Sequence, residues 1–124
     1  MFERIYLSLR NLAYKNRRKV KLGNCVEMPR SSERLLKKVT IKLAGRNNRL
    51  VFGEDVEVSH CEIRLDGEDN LIEIGARTRI SSGKIYLRNA HGQHIRIGAD
   101  TTVEGAYLLV DEAASIDIGN DCML

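Results

Sequence analysis

Three histidines and three cysteines are the residues here best suited to proton transfer or nucleophilic attack. His91 and His94 lie in one polar stretch, Asn89–His94. Imidazole titrates near neutral pH, which makes it the usual carrier of acid–base chemistry. The plainer reading is a pair of solvated turn residues, since turns are polar by default. His60 adjoins Cys61. A Cys–His nucleophile needs a third, orienting group, and neighbouring residues on a strand point to opposite faces, so this pair is rejected. Cys25, Cys61 and Cys122 are widely spaced with no CxxC, which fits reduced, buried thiols better than disulfides or zinc. Asp111-Glu112 and Asp66-Gly67-Glu68-Asp69 are acidic turns. The second lacks the ligand spacing of a calcium loop, so no metal is expected. There is no P-loop, Rossmann glycine pattern or nucleic-acid motif, and no nucleic-acid partner is expected.

What must position these residues is a repeat. Phe52-Gly53, Ile74-Gly75, Ile97-Gly98 and Ile118-Gly119 place glycines 22, 23 and 21 residues apart. Six residues after each apolar position stands another: Val58, Ile80, Val103 and Leu124. Four residues after each stands Val56, Thr78, Thr101 or Cys122. Ile41/Leu43, Ile63/Leu65, Ile85/Leu87 and Leu108/Val110 form a further pair of columns, each running into a polar turn. A fixed period means stacked units rather than one central core. Each unit holds three short strands, and the glycine lets the chain bend after the first. Three strands and three bends close a triangular coil. Coils stack about 4.8 Å apart as parallel strands. Six residues per side is the period of the left-handed parallel β-helix, an exception to the usual right-handed crossover.

The N-terminal region differs. Phe2, Ile5, Leu9, Leu12 and Ala13 fall on one helical face, so residues 2–16 read as a short helix and 1–19 as an amphipathic cap. A basic flank follows, Lys15 and Arg17–Lys19. Membrane contact through that helix is the lesser reading, and covering the open first coil the favoured one. Residues 1–49 carry 14 Lys/Arg against three Glu, and residues 50–124 carry six Lys/Arg against 14 Asp/Glu. Such a basic front suits an anionic partner or a solvated end. A weakened repeat starts at Leu22-Gly23, and an insertion, Pro29–Lys38, holds Ser31-Ser32-Glu33, which could start one helical turn. The β-helix is placed at 20–124, in about four to five coils. No secretory signal or bilayer-spanning stretch is seen, so a cytoplasmic location is expected.

Ile-Gly-Ala-Asp-Thr-Thr-Val (97–103) and Ile-Gly-Asn-Asp-Cys-Met-Leu (118–124) resemble the hexapeptide-repeat acyltransferases. The long polar turns, with Asn48 and Asn70 in one column, look most like the sugar and capsular-polysaccharide O-acetyltransferase branch. The resemblance implies an all-β, left-handed β-helix that assembles as a homotrimer. It implies acetyl-CoA as co-substrate, a saccharide hydroxyl as acceptor, and a turn histidine as general base. In that branch the histidine lies in the turn after a segment like Ile118–Leu124. The chain is therefore expected to be the N-terminal portion of such an enzyme, incomplete at its C-terminal coil and inactive alone. His94 and His91 are the substitutes it offers. The rival expectation is a non-catalytic scaffold or an inactive remnant.

Overall fold

Apolar residues alternating with polar ones make half-buried strands. The computed structural model describes residues 17–19 (as backbone), 23–111 and 114–124. The expected helix over 2–16 lies outside those residues. Arg17–Lys19, placed with that helix by the sequence, is instead strand β1. It pairs antiparallel with β2 (Cys25–Glu27), Arg17 opposite Glu27, and covers the first edge of a sheet.

That sheet is the first face of a parallel β-solenoid of about four turns. It stacks β2, β4 (Arg49–Phe52), β6 (Leu71–Ile74), β9 (His94–Ile97) and β12 (Ile116–Ile118) in that order. Its register sets Leu50, Ile72, Ile95 and Ile116 in one line and Phe52, Ile74, Ile97 and Ile118 in the next. The second and third faces share one ladder. β3 (Leu36–Arg46) and β5 (Glu57–Glu68) run through the corner between them. The next coils split that path into β7 (Arg79–Ser81) with β8 (Lys84–His91), then β10 (Thr102–Glu104) with β11 (Tyr107–Asp111). Helical turn α1 (Arg30–Glu33) occupies the insertion, as Ser31-Ser32-Glu33 predicts.

The inward residues form the expected columns. Ile74, Ile80, Ile97 and Val103 are buried, while Ile118 is half-buried on the outermost described coil. Polar columns run beside them. Asn48 and Asn70 are buried. The Asn24 side-chain carbonyl accepts from Asn48 N–H at 2.9 Å, that of Asn48 from Asn70 N–H at 3.1 Å, and that of Asn70 from Gln93 N–H at 3.0 Å. Each amide NH₂ returns to corner carbonyls, as Asn48 does to Ala44 at 2.8 Å and Gly67 at 3.1 Å. A second column begins with Ser32, whose hydroxyl accepts from Val56 N–H at 2.9 Å. It continues with Thr78 and Thr101, each donating to a glycine carbonyl one coil on, Gly98 at 2.6 Å and Gly119 at 3.0 Å. Buried polar groups are thus paired rung by rung, which parallel stacking requires.

The bends depart from expectation in one respect. The glycine of each Ile-Gly pair does not make the turn. The left-handed corner falls two residues later, at Asp55, Arg77, Asp100 and Asp121, all with φ between 55° and 59°. At Gly53, Gly75 and Gly98 the glycine is needed for close approach to the next coil: a Cβ on Gly75 would sit 2.5 Å from Ala99 N, whereas one on Gly119 would meet only Cys122 Sγ at 3.9 Å. Drift in the period also has a local cause. β8 carries one extra residue against β5, so Leu65 faces Leu87 but Gly67 faces Ala90. Asn89 takes the left-handed conformation there, φ 51°, as a β-bulge demands.

Candidate functional site

The bulge lies just before the corner that carries both candidate histidines. His91 ends β8 on the third face and is exposed; Gly92 turns the corner at φ 65°; His94 opens β9 on the first face. Alternation sends Ile95 and Ile97 inward, so His94 and Arg96 point outward. The two imidazoles therefore belong to different faces.

His94 is brought to a carboxylate instead. Its Nε2 lies 3.0 and 2.9 Å from the two carboxylate oxygens of Asp117, on the next coil. The His94 side chain is 26 % exposed and that of Asp117 65 %. The backbone is fixed as well. His94 N–H donates to Ser115 Oγ at 3.1 Å, and Ser115 Oγ–H donates to the Gln93 side-chain carbonyl at 2.9 Å. Gln93 donates its NH₂ to the His91 carbonyl at 3.1 Å, and its own N–H to Asn70. The amide column thus ends in the support of His94. A carboxylate on one ring nitrogen fixes the tautomer and leaves the other nitrogen as acceptor. Asp117, Ser115 and Gln93 were not singled out from sequence. The available signal was the period itself, since Asp117 follows His94 by 23 residues.

The remaining candidates stand apart. His60 is an exposed corner residue, φ 51°, while Cys61 is buried. Burial pushes the Cys61 thiol up to about 11, the opposite of an activated nucleophile. Cys122 keeps its column, its N–H donating to Thr101 Oγ at 3.4 Å, but is only half-buried on the last described coil. Asp111 pairs with Arg88 at 2.9 Å, and Glu112 lies outside the described residues. Asp66 pairs with Arg64 at 3.7 Å. Among the described residues no three His, Cys, Asp or Glu side chains stand where they could share a metal ion. Nor is any helix among them long and apolar enough to cross a membrane.

No protein-family profile, curated protein or solved structure matches the chain. The resemblance of its hexapeptide columns rests on those residues alone.

Proposed function

We propose that this chain supplies the N-terminal coils of an acyl-CoA-dependent O-acetyltransferase acting on a saccharide hydroxyl, with His94 as general base in place of the later turn histidine that the resemblance implies, so that these coils turn over acetyl-CoA without that later turn. The observation that supports this reading is the contact of His94 Nε2 with Asp117 at 2.9 Å. Sequence alone assigns His94 no orienting group. Asp117 supplies one, in the arrangement by which a base is held for proton transfer. With Nε2–H donated to the carboxylate, Nδ1 takes the acceptor hydroxyl proton while that oxygen attacks the thioester carbonyl. The tetrahedral intermediate collapses, the C–S bond breaks, and the CoA thiolate recovers the proton from the imidazolium. Such a base contributes roughly 10²–10⁴-fold. His91 has no such carboxylate among the described residues and is not given that role. The acting form is read as a cytoplasmic homotrimer, a neighbouring copy completing the cleft.

The second reading is a non-catalytic scaffold, favoured by the side-chain ladder from Asn24 to Gln93, which rigidifies the stack without any ligand. Release of free thiol from acetyl-CoA with a sugar panel separates the two. Turnover lost in a folded His94→Gln variant supports the proposal. Turnover that survives it overturns the role of His94. A folded parent that releases no thiol with any sugar favours the scaffold.

A further inference from the structure

The third face carries a feature that neither the histidine corner nor the core explains. Its outward positions fall into columns by register. Glu62, Lys84 and Tyr107 form one, and Arg64, Tyr86 and Leu109 the next. Among the described residues the exposed large apolar side chains are Tyr107 and Leu109, at 56 % and 38 % exposure, and Met123 and Leu124 on the last described coil. Tyr107 is held in place. The Tyr107 and Tyr86 rings meet edge to face, centroids 5.4 Å apart and planes at 79°, and Lys84 Nζ lies over one face of Tyr107, 6.0 Å from its centroid. Tyr86 stands in register with Arg64, and Glu62 with Lys84, on the neighbouring coil. A fixed aromatic side chain, more than half exposed, therefore stands on a flat sheet.

Beside it lies an open depression of about 470 Å³, lined by Tyr107, His60, Ser82, Lys84 and the corner glycines Gly83 and Gly105. Gly105 borders it at φ 62°, and a Cβ there would meet nothing within 4 Å. The rim thus offers an imidazole, a hydroxyl and an ammonium around one aromatic ring.

We infer that Tyr107 and this depression form a docking platform for a saccharide chain, one sugar ring stacking on Tyr107 and its hydroxyls meeting His60, Ser82 and Lys84. A pyranose has an apolar C–H face and a rim of hydroxyls, which is the complement of an aromatic ring with polar neighbours. A small apolar ligand needs an enclosed pocket instead. A protein partner needs roughly 800 Å² on this side, far more than Tyr107 and Leu109 present. Position adds to the argument. Lys84 starts β8 and His91 ends it, so the platform and the His94 corner stand at opposite ends of one face, roughly 20 Å apart at strand rise. A bound oligosaccharide would span that distance, and a single sugar would not. The link to acyl transfer rests on the function proposed above; binding does not.

The test is saturation transfer between the protein and chitotriose, maltotriose or globotriose, read by NMR on the parent, Tyr107→Ala, Tyr107→Phe and His94→Gln, each checked for folding by circular dichroism. Transfer to sugar ring protons is expected in the parent and in Tyr107→Phe, lost in Tyr107→Ala, and unchanged in His94→Gln. No transfer from a folded parent to any of the three, or transfer that persists in Tyr107→Ala, overturns the platform. So does a concentration-dependent rise in molecular mass that Tyr107→Ala abolishes, because it assigns the patch to a second copy. Sugar transfer without thiol release would fail the acetyltransferase reading and leave the platform standing.

Discussion

The side-chain carbonyl of Asn48 accepts the backbone N–H of Asn70, 3.1 Å away and one coil on. Asn70 repeats the arrangement toward Gln93, and its NH₂ donates to the Ala90 carbonyl at 2.8 Å. Replacing Asn70 with Ala takes a partner from one donor, Gln93 N–H, and from two acceptors, the Ala90 and Asp66 carbonyls, at a buried corner. The expected loss is roughly 2–4 kcal/mol, read from the denaturant midpoint at constant m. A loss under about 0.5 kcal/mol would show that water replaces the ladder at no cost.

Ile97 and Arg96 are neighbours that point to opposite sides of one strand. Ile97→Asp puts a charge into a column with no counter-ion and should cost several kcal/mol. Arg96→Ala removes an exposed pair with Glu73 at 3.7 Å and should cost under about 1 kcal/mol. Thermal melts of both variants check the register. Equal melting temperatures would refute it.

Gly75 and Gly105 distinguish two reasons for a glycine. A Cβ at Gly75 meets Ala99 N and Gly98 C at 2.5 Å, while one at Gly105 meets nothing but carries φ 62°. Gly105→Ala should cost about 1–2 kcal/mol, the scale of left-handed strain. Gly75→Ala must push neighbouring coils apart and should cost more. If the order is reversed, coil spacing is not what selects the glycine of each Ile-Gly pair.

Glu62 sets an acid limit. Burial alone would raise its carboxyl, but the Tyr86 hydroxyl and Lys42 outweigh that and hold it below its ordinary 4.5. A carboxyl depressed in the folded state adds stability above the unfolded pKa and loses it as pH falls through the folded one. Stability of the parent should therefore fall below about pH 4.5. Glu62→Gln should fall less steeply over the same range. The pair has an alkaline side, because burial and then Glu62 push Tyr86 up to about 12. The unfolded phenol ionises first, so stability is lost from about pH 10 upward. Denaturant midpoints from about pH 3 to 11 measure both limbs. Parallel acid limbs in parent and Glu62→Gln would remove Glu62 from the account.

Much of the stack was legible in the sequence because packing leaves little choice at its inward positions. Ile74, Ile97 and Gly75 are fixed by the coil above and the coil below, so their types repeat. Ser32 was missed as a member of the Val56–Thr78–Thr101 column because α1 replaces the strand that would have revealed its place. Asn24 and Gln93 were missed for a related reason. The turns leading to the amide column differ in length, and the bulge at Asn89 adds a residue just before Gln93. Asp117 was invisible for a different reason. It sits on an outward position, where stacking tolerates any polar residue, and its pairing with His94 exists only once coils are in register. Tyr107 is likewise outward, and no periodicity marks it.

The side-chain rungs have a consequence for how the chain reaches this state. Asn24 to Asn48, Asn48 to Asn70 and Asn70 to Gln93 bridge 24, 22 and 23 residues. Each closes a loop of nearly the same length, so each coil meets nearly the same entropic toll. The first closed coil is therefore expected to be the slow step, since it alone closes without a neighbour to stack on. Every later one finds a template of exposed amides and aliphatic side chains already laid down, and needs to search only the next twenty-odd residues. A protein built this way can be lengthened without becoming harder to fold.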